Sequence, residues 1–303
     1  MKRWYFILLP LFGLWAACED VIEVETPTED PRLVIEGVIR VDTTREFLPV
    51  AIRLSETSSF FGEPRPVSDV ENIVIIMQFL EDGLPTSSTT RSLAELQPGT
   101  GVYEPDPTFD TDQRIRVRTV LDYDILFTLV IQRQGRRYAA QTKYVPAVPI
   151  DDLAQGSNTL FEDDETEVIV TYTDMPDADN YYIFDFGFGN YLPTEDTFYK
   201  GQRFRFSYFY DQVFENGAQV EVEILGADQT FYNYMNLLVQ QTDGQQGPFQ
   251  PPIATVRGNA FDVTGLDNDQ MFDNTGQPGV FPLGYFAVVQ KFSDSLTLQY
   301  PDR

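Results

Sequence analysis

Apolar and polar residues alternate with a period of two along most of this chain, and no other property narrows its fold as much. The stretch "NYYIFDFGFGNY" (180–191) puts Phe184, Phe186 and Phe188 on one face, and "QRFRFSYFYDQVF" (202–214) does the same with Phe204, Phe206, Tyr208 and Tyr210. Successive side chains of a strand point to opposite faces, so this spacing predicts half-buried β-strands. The aromatic share, 14% with 24 Phe and 16 Tyr, agrees, because such side chains fit a pleated surface.

The same pattern gives strands at "RLVIEGVIR" (32–40), "LPVAIRLSE" (48–56) and "GVYEP" (101–105). The continuous run "ENIVIIMQFLEDG" (71–83) predicts a strand covered on both faces. Residues 121–145 read as a hairpin turning near Gln134–Gly135. Short strands between turn residues predict a β-sandwich of the Ig-like kind over 32–147. Two prolines in "VPAVPIDDL" (145–153) mark a boundary, and a second β-rich domain is expected over 148–303. Within it only 227–241 changes period. Phe231, Tyr234 and Leu238 are spaced three and four apart, and Asp228 stands where a cap belongs, which predicts one helix. The expected class is mainly β.

At the N-terminus, "MKR" precedes an apolar run (4–15), and two alanines stand directly before Cys18, the sole cysteine. A basic start, an apolar stretch too short to span a bilayer and small residues at the end describe a secretory signal over 1–17. Cysteine at that point is the pattern of bacterial lipoproteins, whose thiol receives diacylglycerol. "LWAAC" resembles their lipobox, with Trp15 where an aliphatic residue is usual. Acylation of Cys18, palmitate included, would hold the chain to membrane lipid. The acidic, proline-containing stretch 18–31 reads as a tether.

A formal net charge of −26 repels phosphate backbones, so nucleic acid is excluded as a partner class. The chain has no histidine, which removes Ser-His-Asp and Cys-His catalysis and any imidazole metal site. Paired carboxylates could run glycoside hydrolysis, but 47 acids make chance pairs abundant and nothing singles out one. No cofactor is expected. Calcium is the one metal the loops suggest, through Asp106, Asp110 and Asp112 in "PDPTFDTD" and Asp267, Asp269 and Asp273 in "DNDQMFDN". Neither matches EF-hand spacing. The aromatic strands suit either a sugar platform or a sheet interface; alternation with Asp185, Arg203 and Arg205 favours the interface.

Several segments, taken in order, resemble a known family. They are "LVIEGVI" (33–39), "YAAQTKYVPAVPID" (138–151), "TFYNYMNLLVQQ" (230–241), "PFQPPIATVRGN" (248–259) and "PLGYFAVVQKF" (282–292). Their order and spacing resemble the Bacteroidota lipoprotein family catalogued as domain of unknown function 4249, over essentially the whole chain after Cys18. An acidic insertion (262–279) departs from the family's pattern. The resemblance implies a lipoprotein facing the cell exterior at the outer membrane, often beside a TonB-dependent-type transporter, and it implies no catalytic residues. The acids after Cys18 resemble an export signal to the outside. Asp42-Thr43-Thr44 and Asp294-Ser295-Leu296 resemble the O-glycosylation sequon of that phylum, making Thr43 and Ser295 acceptors. The expected function is therefore non-enzymatic binding as an accessory subunit of such a transporter. The alternatives are a surface structural or adhesion lipoprotein without a transporter and, more weakly, a carboxylate-dependent surface hydrolase.

Overall fold

The computed structural model describes residues 31–58, 64–160, 165–176, 179–197, 200–242, 256–265 and 281–300. Cys18, the tether and the three acids at 267, 269 and 273 lie outside them. The strands begin with β1 (Leu33–Val41), β2 (Ile52–Glu56), β3 (Arg65–Pro66), β4 (Asn72–Glu81), β5 (Leu84–Glu95) and β6 (Val102–Pro105). A short helix, α1 (Val117–Asp122), leads into the hairpin β7 (Asp124–Arg133) and β8 (Arg136–Val145), followed by β9 (Ile150–Gln155). The second half supplies β10 (Thr166–Thr173), β11 (Tyr181–Asp185), β12 (Tyr191–Glu195), β13 (Arg203–Tyr210), β14 (Gln219–Ala227) and the helix α2 (Gln229–Thr242). β15 (Ala260–Asp262) and the long β16 (Leu283–Thr297) complete the order. The class is mainly β, as the alternation predicts.

Eight strands pair in the ring β16-β1-β2-β6-β5-β4-β7-β8, with β8 returning to β16. The Ig-like sandwich expected over 32–147 is thus replaced by a barrel-like sheet. Alternation is identical for a sandwich strand and a barrel strand; what decides is the partner of the outermost strands, and here both β1 and β8 find β16. The β1–β16 pairing is parallel, from Val34↔Leu283 to Val41↔Gln290, and β8 adds Val288↔Tyr144 and Val289↔Val145. Such long-range closure leaves no trace in local periodicity.

Ile35, Ile39, Ile52, Leu54, Ile75, Phe127, Leu129 and Phe286 fill the ring at 0–1% exposure. Each such side chain contributes about 1.5–3 kcal/mol by leaving water. Val117 and Val120 of α1 join this core. Gly37 faces Phe286 across the β1–β16 ladder, and a Cβ there would come within 3.1 Å of that ring. β4 buries Ile73, Ile75 and Met77 but leaves Val74 and Ile76 half-exposed, so its apolar run is covered on one face rather than two. β5, "LPTSSTTRSLAE", has no counterpart among the expected strands, because its Ser/Thr-rich first half is exposed on both faces and carries no hydrophobic alternation. The β7–β8 hairpin turns at Gln134 (φ 50°) and Gly135 (φ 71°), two left-handed residues of the kind that tight hairpins need.

Beyond the ring β16 runs on, and its outer half pairs antiparallel with β14, which carries β11 and then β12. A separate sheet, β13-β10-β9, supplies the other side of a second core. That core is aromatic: Tyr172 lies 5.3 Å from Phe184, Phe184 5.1 Å from Phe206, and Phe186 stacks on Tyr208 at 3.7 Å. The interface reading of these strands holds, with one exception. Phe188 leaves the face it was expected to share and sits 74% exposed in a turn at φ 55°, between two positive-φ glycines.

A groove between helix α2 and the ring

Helix α2 begins where the sequence places its cap: Asp228 Oδ1 accepts the Phe231 N–H at 2.7 Å. Its apolar stripe, Phe231 and Met235, packs on Ile183, Leu225, Ala287 and Val289, the outward-facing side chains of β11, β14 and β16. The helix covers only that part of the sheet. On β1 the odd-numbered residues point into the ring, while Val34, Glu36, Val38 and Arg40 point outward, on the side of the sheet that carries the helix. The result is a groove of about 650 Å³ whose floor is β1 and the start of β16. Its wall is formed by Phe231, Tyr234, Met235 and Leu238 of α2. Pockets for small ligands fall in this size range, and apolar walls with a few polar groups are their usual composition. Gly284 shapes the floor: at φ 89° it lies so close to β1 that a Cβ would run into the Ile35 carbonyl.

One end of the groove is charged. Arg40 Nη1 meets Asp185 Oδ2 at 2.7 Å and also pairs with Glu223, to which Lys291 adds a second cation. The two carboxylates sit directly opposite each other on β11 and β14, so without Arg40 they would repel. Burial opposes the Arg40 charge, but Asp185 and Glu223 together outweigh it and hold the guanidinium pKa above its ordinary value. Tyr191 completes the end wall, its hydroxyl 3.5 Å from Arg40 Nη2; burial, then Asp185, pushes that phenol up. Both carboxylates are engaged by cations, and the four charges balance.

Two tyrosines line the middle. Tyr285 is 4% exposed and its ring lies 4.9 Å from those of both Phe231 and Tyr234. Burial, then Asp228, raises its pKa; burial, then Glu36, raises that of Tyr234. Further along, Arg53 and Glu36 form an exposed pair at 3.6 Å.

Sequence reasoning missed this cluster. Arg40, Asp185, Glu223 and Lys291 come from four strands distant in the chain, and each looked like the polar partner in an alternating strand. Asp185 was assigned to the face opposite the phenylalanines, correctly, but that face is 8% exposed and not solvent. An acid inside "YYIFDFGF" was the one available hint.

Asp106 accepts the Thr108 N–H at 2.8 Å and its hydroxyl at 2.7 Å, and Asp112 takes Arg114 in a two-point pair at 3.0 and 2.8 Å. Asp110 lies exposed between them. Among the described residues no group of three or more acids gathers as metal ligands would. Thr43 is exposed in the turn after β1, where Asp42 accepts the Thr44 N–H at 2.9 Å. Ser295 is exposed in β16, opposite Glu221.

No curated protein matches the sequence. The family model described as Domain of unknown function (DUF4249) matches residues 19–266, a span that takes in seven of the eight ring strands and α2 but stops before β16. The chain, with its ring, its aromatic second core and the groove under α2, belongs to that family.

Proposed function

We propose that this protein is a surface-exposed lipoprotein of the outer membrane, anchored through acylated Cys18, that binds a ligand in the groove beneath α2 and serves as accessory subunit to a TonB-dependent-type transporter. The groove is the observation that carries the reading: about 650 Å³ of apolar and aromatic surface beside a fixed, charge-balanced end. Binding without chemistry suits these residues. Asp185 and Glu223 are held by Arg40 and Lys291, which leaves neither carboxylate free to act as acid or base. The acidic stretch 18–31 would lift the domains off the bilayer, and β1, the groove's floor, starts directly after it.

The test is gentle detergent extraction from the native membrane, affinity capture of the chain and mass spectrometry of what accompanies it. A barrel transporter recovered in stoichiometric amount supports the reading. Recovery of the chain alone, with no change on Cys18→Ser, counts against both the anchor and the transporter.

A further inference from the structure

We infer that a second copy of this chain pairs with the outer edge of β5, strand against strand and antiparallel, so that the protein forms a two-fold dimer. The inference is independent of the groove. β4 pairs with β5 from Glu81↔Leu84 to Val74↔Ser92. On the other side β6 meets β5 only at Leu93, Ala94 and Glu95. Ser92 is the last residue served there: its carbonyl accepts the Asp106 N–H at 3.0 Å, and its own N–H donates to Gln113 Oε1 at 2.8 Å. Backbone groups of alternate residues in a strand point the same way, so those of Ser88 and Thr90 face outward too. Among the described residues nothing hydrogen-bonds them.

An open row of N–H and C=O groups is complemented by another extended backbone, and proteins ordinarily guard such rows with charge, proline or brevity. The other open edges of this fold are guarded. β13 carries Arg203 and Arg205, β9 carries Asp151 and Asp152, and β12 carries Pro193, while β3 and β15 span two and three residues. On β5, Pro85 guards only the start. Thr86 to Thr90 are five neutral hydroxyl residues, four of them exposed on a strand with no cover.

The stretch is also its own complement. The open edge runs from Pro85 to Arg91 and Ser88 is its midpoint. An antiparallel copy that uses the whole edge therefore sets Ser88 opposite Ser88, and Thr86 opposite Thr90. Serine and threonine facing each other across strands are favourable pairs. Arg91, the one charge in the stretch, falls opposite Pro85 of the copy and not opposite its own image. The copy's β4–β5 turn, with Glu81 and Asp82, follows directly beyond Pro85. Arg91 lacks such an acid within its own chain: its Nε is buried without a partner, and it forms no ion pair among the described residues. Because both copies use the same edge, the pairing closes on itself and stops at two.

The experiment is sedimentation velocity of the chain from Glu19 onward, which keeps every described residue and contains no cysteine. The expected species is a dimer that tightens as salt rises, because a strongly acidic chain repels its copy until ions screen it. Thr90→Pro removes an outward N–H and no bond to β4, so it should abolish the dimer and leave the melting temperature near that of the parent. Ser88→Lys sets two like charges opposite each other and should weaken the dimer at least about tenfold, equivalent to about 1.4 kcal/mol. Mixing it with Ser88→Glu should restore association between the two variants. Ser88→Cys, treated with copper phenanthroline, should form a disulfide-linked dimer, since opposed residues lie about 5.5 Å apart at Cα. Thr43→Cys, in the exposed turn after β1, should not. A monomer at every protein and salt concentration overturns the pairing and leaves the edge to a strand of another protein. A dimer unchanged in both Thr90→Pro and Ser88→Lys overturns it as well, since another surface then holds the copies.

Discussion

Tyrosines form two populations in this molecule. Those of the aromatic core and the ring, Tyr182, Tyr210 and Tyr103, each spend their hydroxyl on a neighbouring acceptor. At α2, the half-buried Tyr234 and the buried Tyr285 meet through their rings, 4.9 Å apart. The same residue type therefore serves as a hydrogen-bonding tie in one region and as packing surface in the other. Composition cannot separate the two; only the partner can.

The comparison breaks most sharply with changes on the structural side. Phe184→Ala, at a fully buried position of the aromatic core, should cost about 3–5 kcal/mol in chemical denaturation. Arg40→Ala should cost about 2–3 kcal/mol, somewhat below the range for fully buried pairs because the Arg40 side chain is 30% exposed. Adding Glu223→Gln should recover part of that loss, since one of the facing carboxylates is then neutral. Tyr210→Phe strands the Phe186 carbonyl and should cost about 1–2 kcal/mol, whereas Tyr285→Phe should fall within about 0.5 kcal/mol of the parent. If both phenylalanine variants lose stability equally, the two populations are one.

The smallest effect is a pH dependence. Burial, then Glu95, pushes the Tyr103 phenol up to about 12 from its ordinary 10. A raised folded-state pKa means that the folded chain holds its proton more tightly, so the stability this group contributes is complete below pH 10. It is lost as pH rises toward about 12. Tyr103→Phe should flatten denaturation midpoints across that window relative to the parent, and leave the acid side unchanged.

How much of this was legible in the sequence depended on the range of the interaction. Period-two alternation located most strands, the three-and-four spacing at Phe231, Tyr234 and Leu238 located α2, and Asp228 located its cap, because each is a contact within a few residues. Ring closure was not legible: "LGYFAVVQKF" reads as a strand whether its partners are β1 and β8 or anything else. β5 was silent because serine and threonine on both faces erase the alternation. The groove was silent for a third reason. Val34 and Val38 belong to an ordinary alternating strand, and only the partial cover provided by α2 turns their outward face into the floor of a groove.

β16 has a consequence for how the protein comes to exist. It supplies the last wall of the ring and a central strand of the aromatic half, and its ring partners were synthesised long before it. Until β16 (Leu283–Thr297) has emerged, β1, β8 and β14 lack the strand they pair with. Such late, non-local pairing makes folding slow. The last strand to arrive commits both halves to the folded state together.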